Sequence, residues 1–221
     1  PRFPSYCRII HDVGATTPVQ SINQDGYFSH FTAMQLHSLT DQVPKTIYLN
    51  IEQPNKSGGG TLAQAGIDRA FKGKCRISTN IATYKDRSVC LINGGNTGKL
   101  GVTAHKAPES NSEIRITGLE RTLIDATVRP IYAGGVFEVA RAFESARDQV
   151  SANKIAAFLR TLNYTYPYHQ SIGYYMTRAG YKKSQVDIIR KFKKEFDFYL
   201  DYQLKDTDYN KEWRLYVPRG F

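Results

Sequence analysis

The sequence predicts an α+β fold, with a β-rich N-terminal half that carries one helix, a helical second half and a terminal β-hairpin. Three observations predict it. Before residue 117, short β-branched or alternating runs are bounded by turn residues. After 118, apolar residues recur at helical spacing, and beyond 197 strand-like aromatic runs return. With 221 residues, 41% hydrophobic and 23% charged, the chain holds enough apolar material for one large domain or two small ones. The same values exclude collagen-like, low-complexity and wholly disordered chains. No apolar run approaches the roughly 18 residues of a membrane helix.

The predicted strands are Arg8–Val13, Thr46–Glu52, Lys74–Asn80, Arg87–Asn93 and Glu113–Thr117, interrupted by one helix from Ser29 to about Leu39. Lys56-Ser57-Gly58-Gly59-Gly60 and Asn93-Gly94-Gly95-Asn96-Thr97-Gly98-Lys99 read as loops. The second invites comparison with a phosphate-binding loop, but that pattern needs Gly where Asn93 stands and Ser or Thr where Leu100 stands. Thr117-Gly118-Leu119-Glu120 has the spacing of a capping box, which starts a helix that Pro130 ends. Val136, Val139, Ala140, Phe143 and Ala146 mark the next helix, after the Gly134-Gly135 turn. Ser151 caps a third, a fourth runs from Tyr168 to Ala179 with Gly180 at its C-terminal cap, and a fifth starts near Ser184. Asp197–Leu204 and Trp213–Val217 form the expected hairpin. The expected division is 1–117 for the β-rich half and 118–221 for the helical half, packed as one compact unit.

The formal net charge of +10 is concentrated rather than spread: residues 68–106 carry +6 and residues 154–194 carry +8, with an acidic stretch between them. Two basic blocks are the electrostatic footprint of a surface that holds a polyanion, and the usual polyanion is nucleic acid. Tyr164, Tyr166, Tyr168, Tyr174, Tyr175 and Tyr181 lie inside the second block, where rings can stack on bases or pack a helical core. Cys7, Cys75 and Cys90 are odd in number, far apart and without a C-x-x-C. That argues against a disulfide framework or a zinc site and fits a reducing cytoplasm.

Gly26 to Leu39, which contains Ser29-His30-Phe31-Thr32-Ala33 and His37, is followed by Val43-Pro44-Lys45-Thr46-Ile47-Tyr48. These segments resemble the S-H-x-S-A-x-x-x-H-G-L and V-P-x-x-I-Y signatures of the AbiEi family. Asn93–Val102, Gly118-Leu119-Glu120-Arg121-Thr122-Leu123-Ile124-Asp125 and Tyr166-Pro167-Tyr168-His169-Gln170-Ser171-Ile172-Gly173-Tyr174-Tyr175 are similar to segments of that family's C-terminal domain. The resemblance spans nearly the whole chain. It implies an antitoxin of a bacterial abortive-infection system, with a nucleotidyltransferase toxin as partner. The family's usual N-terminal winged helix is missing, since the 26 residues ahead of Tyr27 are too few for one.

The candidate chemistry is sparse. His30 and His37 lie seven residues apart, roughly 10.5 Å of helix rise, too far to share one metal ion; no metal and no cofactor are expected. Arg121 and Asp125 are placed to pair along one helix face. His30, Glu120 and His169 are the candidate catalytic groups, with a structural account beside each: local capping for His30, the capping box for Glu120, helix capping for His169. His169 and Gln170 open a helix, and a helix N-terminus favours an anion. The expected DNA-binding set is Gln170, Tyr168, Tyr174, Arg178, Lys182, Lys183, Arg190, Lys191, Lys193 and Lys194. His30 and His169 are expected to meet in one pocket between the halves.

Besides a purely protein-binding antitoxin, whose basic surface would meet an acidic toxin, two functions follow. The first is a nucleic-acid-binding phage-defence protein of the AbiEi antitoxin type, binding duplex DNA and its toxin in the cytoplasm, with no membrane association. The second is a DNA glycosylase that flips and excises modified phage bases, because base excision needs only a pocket, a stacking ring and one carboxylate or histidine. Whether the chain is an enzyme is left open by the residues.

Overall fold

A computed structural model describes residues 25–54, 61–84, 87–106 and 113–221. The predicted strand at Arg8–Val13 and the whole loop at 56–60 lie outside the described residues. The chain runs β1 (Tyr27–Phe28), α1 (His30–Leu36), β2 (Thr46–Gln53), α2 (Gln64–Lys72), β3 (Ile81–Tyr84), β4 (Arg87–Gly95), β5 (Val102–Lys106), β6 (Glu113–Thr117) and α3 (Leu119–Val128). A 3-10 turn at Pro130–Tyr132 follows, then α4 (Val136–Ala146), α5 (Ala152–Leu162), α6 (Tyr168–Arg178), α7 (Lys183–Arg190), β7 (Phe198–Tyr199), β8 (Thr207–Asn210) and β9 (Leu215–Pro218). The fold is α+β.

The chain divides into two compact units, the first from Pro1–Lys56 with Ile77–Asp125 and the second from Ser57–Arg76 with Ala126–Phe221. In the first, six strands form one sheet in the order β3-β4-β2-β1-β6-β5. Its middle is the parallel pair β2 and β4, in register from Thr46 opposite Ser88 to Gln53 opposite Gly95. Ile47, Leu49 and Val89 are fully buried there, as the alternation of a half-covered sheet requires. Both edges are antiparallel: β3 on β4, and β5 on β6 with Val102 opposite Thr117. The predicted strand at 74–80 does not form; the chain there approaches β4, with Leu91 N–H donating to the Asn80 carbonyl at 2.9 Å, and β3 begins at Ile81. The short, half-exposed β5 had no apolar alternation to announce it.

The second unit gathers α2, α4 to α7 and a three-stranded sheet in the order β7-β9-β8. The terminal hairpin is β8 with β9, Thr207 opposite Pro218, rather than 197–204 with 213–217; β7 joins β9 in parallel. The helix α2, preceded by glycines and carrying Gly66 in its first turn, is not among the predicted helices, although Ile67 and Phe71 share its buried face four residues apart. It is held by the C-terminal segment: Asp197 N–H donates to Gln64 Oε1 at 2.8 Å, Gln64 Nε2 donates to Asp197 O at 3.0 Å, and Gln203 N–H donates to Phe71 O at 2.7 Å. Phe71 stacks on Tyr202, with ring centroids 4.3 Å apart.

The helix starts follow local chemistry in α5, where Ser151 Oγ accepts from Lys154 N–H, and in α6, which stops ahead of Gly180 at φ +71°. The start of α3 lies one residue later than the capping-box spacing suggests. Gly118 supplies the first helical carbonyl, to Thr122 N–H at 2.8 Å, so Gly118 takes the cap position. The Thr117 hydroxyl, at the end of β6, pairs instead with that of Thr122 at 2.8 Å. Glu120 is buried in the first turn of α3, where the helix dipole favours a carboxylate.

At the centre of the second unit Trp213 is fully buried. Its Nε1 donates to Thr177 Oγ1 at 3.1 Å, and its ring packs against α6 at Gly173, where a Cβ would fall 2.2 Å from ring carbons. Glycine is the residue that allows this approach.

Candidate nucleic-acid interface

The second basic block folds into α5, α6, α7 and the turns between them, and a cavity of 390 Å³ opens among these elements. Its aromatic lining comes from Tyr164, Tyr166, Tyr168, His169, Phe192 and Phe196. Leu62 and Leu159 add apolar surface, Asn163 and Thr165 add polar atoms, and Arg160, Lys193 and Glu195 bring charge. The rings support one another edge to face: Tyr164 on Tyr168 at 5.4 Å and Tyr166 on Tyr168 at 6.2 Å. Across from them His169 stacks on Phe192 at 5.3 Å, and the Arg160 guanidinium lies 5.1 Å from the Phe192 ring centre. Tyr168 is buried, while Tyr164, Tyr166, His169 and Phe192 are half-buried and Arg160, Asn163 and Lys193 are exposed.

His169 opens α6, and its Nε2 lies 3.0 Å from the Lys193 carbonyl oxygen. A carbonyl only accepts, so Nε2 carries the proton and Nδ1 of the neutral ring is the acceptor. Burial removes the water that would solvate an imidazolium; although the Lys193 carbonyl favours the charged form, the Lys194 ammonium opposes it, and the ring is held at about 4. His169 is therefore neutral at physiological pH and supplies a flat polar ring, not a charge. Burial also raises the Tyr168 hydroxyl well above its ordinary value.

The other expected DNA contacts are distributed unevenly. Gln170 is fully buried, and its Nε2 donates to the carbonyls of Trp213 at 2.7 Å, Arg214 at 3.0 Å and Phe196 at 3.1 Å. It ties α6 to the C-terminal segment. Tyr174 is buried and its hydroxyl donates to the Phe221 carbonyl at 3.2 Å, and Arg178 lies 4.6 Å over the Phe221 ring. Arg190 pairs with Asp187 and Glu212. Lys194 donates to the Glu212 carbonyl at 3.0 Å and sits 4.8 Å over Trp213, and Lys193 pairs with Glu195. Lys182, Lys183 and Lys191 are exposed. Arg160 and Phe192 were not singled out from the sequence, although an aromatic residue between Lys191 and Lys193 is the signal that marks Phe192.

His30 and Glu120 belong to the first unit, and neither lines this cavity, whose residues all come from the second. His30 is buried at a φ of +50°, with Nδ1 2.8 Å from Ser29 Oγ. His37 Nε2 donates to the Thr117 carbonyl at 2.7 Å, and burial lowers its pKa. The loop at 93–99 is closed around an internal anion. Thr97 N–H donates to the Glu52 carboxylate at 3.0 Å and Lys99 N–H at 3.2 Å, and the Tyr27 and Thr97 hydroxyls also donate to it. Burial alone would raise the Glu52 pKa, but these bonds outweigh it and hold it below the ordinary value. The amides that would cradle a phosphate are thus occupied by a side chain of the same unit. Beside them Arg121 Nε donates to Asp125 Oδ1 at 2.8 Å, as the spacing predicts, and its Nη1 donates to the Leu100 carbonyl at 2.7 Å.

Among the described residues no cluster of His, Cys, Asp and Glu is arranged to hold a metal ion, and no helix is long and apolar enough to cross a membrane. No family model matches the chain, and no curated protein matches it either. Its fold is similar to that of the RV2827C protein from Mycobacterium tuberculosis, whose crystal structure aligns with a TM-score of 0.60 at 13% sequence identity. The alignment covers 90% of this chain and 66% of that one, so this chain spans just under two thirds of that protein's length. At that identity the likeness is one of fold.

Proposed function

We propose that this chain is a nucleic-acid-binding domain that works through the basic face of its second unit, in the phage-defence setting that its resemblance to AbiEi antitoxins suggests. The observation that carries this reading is the cavity itself, where half-buried rings are flanked by exposed cations inside a block of charge +8. Rings for bases and cations for phosphates are the two components that nucleic-acid grooves combine. The buried positions of Gln170 and Tyr174 shift the proposed contacts toward Tyr166, Phe192 and Arg160, with Lys182, Lys183 and Lys191 meeting phosphates. A nucleotidyltransferase toxin is the protein partner that the same resemblance suggests.

The test is a binding titration on duplex DNA at several salt concentrations. Several phosphate contacts make affinity fall by orders of magnitude between about 50 and 200 mM salt. Lys182→Glu/Lys183→Glu/Lys191→Glu should weaken binding on all sequences alike and flatten that dependence. A salt-independent affinity, or wild-type binding by the triple variant, would defeat the proposal. Alkali-labile sites left in phage DNA by the purified protein would instead favour the glycosylase reading.

A further inference from the structure

We propose that the cavity of the second unit takes a single unstacked nucleobase, so that the protein prefers duplexes containing an unpaired nucleotide to fully paired ones. The inference rests on the nucleic-acid reading above and goes further by naming the part of the nucleic acid that enters the protein.

Size comes first. The cavity volume of 390 Å³ lies at the lower end of the roughly 300–1,000 Å³ typical of ligand pockets. A single planar ring system fits.

The lining selects among planar groups. Tyr166 offers half-buried aromatic surface, and Phe192, with His169 stacked on it and the Arg160 guanidinium over its ring, builds one wall of the cavity together with those two planar groups. With Nε2 committed to the Lys193 carbonyl, the neutral His169 ring keeps Nδ1 as an acceptor, suited to the exocyclic amine of adenine, cytosine or guanine. Asn163 and Thr165 supply an amide and a hydroxyl. Arg160 and Lys193 at the rim are cations for the flanking phosphate; Lys193 is partly neutralised by Glu195, which leaves Arg160 as the stronger one. A base in this space would exchange stacking on its neighbours for stacking on protein rings. That exchange costs least where the base is already unpaired.

The test uses a 20-base-pair DNA duplex in three forms: fully paired, with a single bulged 2-aminopurine, and with an abasic residue at the bulge. The bulged 2-aminopurine duplex should bind about tenfold more tightly than the paired one, equivalent to about 1.4 kcal/mol, and its fluorescence should be quenched as the base stacks on the rings. The abasic form should lose the advantage. Phe192→Leu, which keeps the apolar volume and removes the ring, should bring the bulged and paired affinities within about twofold, as should Tyr166→Ala. Equal affinity for all three duplexes without quenching overturns the inference and leaves duplex binding intact. An abasic duplex that binds as tightly as the bulged one also overturns it, because deformability rather than the base would then be recognised. Failure of every duplex to bind overturns the nucleic-acid reading and this inference with it.

Discussion

Replacing Gly173 by alanine tests the packing that holds the C-terminal segment on α6. In an ordinary helix the change stabilises by about 1 kcal/mol, because glycine loses more backbone freedom. Here the new methyl would sit 2.2 Å from Cη2 and Cζ3 of Trp213 and 2.7 Å from Cε3. The indole has little room to retreat: it is fully buried, and its Nε1–H and main-chain N–H are bonded to Thr177 and Asn210. Overpacking of this kind costs about 1–3 kcal/mol, and so close a contact belongs at the upper end. The net expectation is destabilisation by about 2 kcal/mol, with a midpoint lower by about 4–8 °C. Trp213 is the chain's single tryptophan, so its emission during urea unfolding reports this site directly, and far-UV circular dichroism gives the second probe. In a Trp213→Leu background the same substitution should cost far less, since contacting residues couple in a double-mutant cycle. A Gly173→Ala protein as stable as the parent, or an equal cost in both backgrounds, would refute the packing argument.

Two further predictions concern protons. Bonds from Thr97, Lys99 and Tyr27 hold Glu52 below its ordinary value of 4.5, so its stabilising share is present above that pH and is lost as pH falls through the lower, folded value. Glu52→Gln should therefore be less stable than the parent at pH 7 and should depend less on pH below 4.5 in urea melts; parallel acid limbs in the two proteins would contradict this. His169, held at about 4 against an ordinary 6.5, binds its proton later than the unfolded chain does. Its contribution to stability is complete above 6.5 and is lost as pH falls from 6.5 towards 4. The imidazole Cε1–H resonance of His169 should stay unshifted from pH 8 to about 5.5, and a titration midpoint near 6.5 would show that water reaches the ring.

What the sequence determined by itself is local. The strands Thr46–Gln53 and Glu113–Thr117 were legible because their β-branched residues alternate, and α4, α5 and α6 because apolar residues return every 3.6 positions and because Ser151 and Gly180 punctuate them. The pairing of Arg121 with Asp125 was readable for the same reason, since four residues along a helix bring two side chains together. The concentration of charge in residues 154–194 was also plain, and it located the region in which the cavity lies. Tertiary structure decided what depends on distant partners. The helix α2 exists against its glycine because Asp197 and Gln203 bind it from some 130 residues away, and Gly118 rather than Thr117 supplies the first carbonyl of α3 while the Thr117 hydroxyl pairs with that of Thr122. Gln170, whose place beside His169 suggested a base contact, turns inward because three carbonyls of the C-terminal segment converge on its amide. Arg160 on α5 and Phe192, two residues beyond the end of α7, become one surface only when these helices pack together. Short-range periodicity carries no information about which faces will meet, and a binding cavity is made of such meetings.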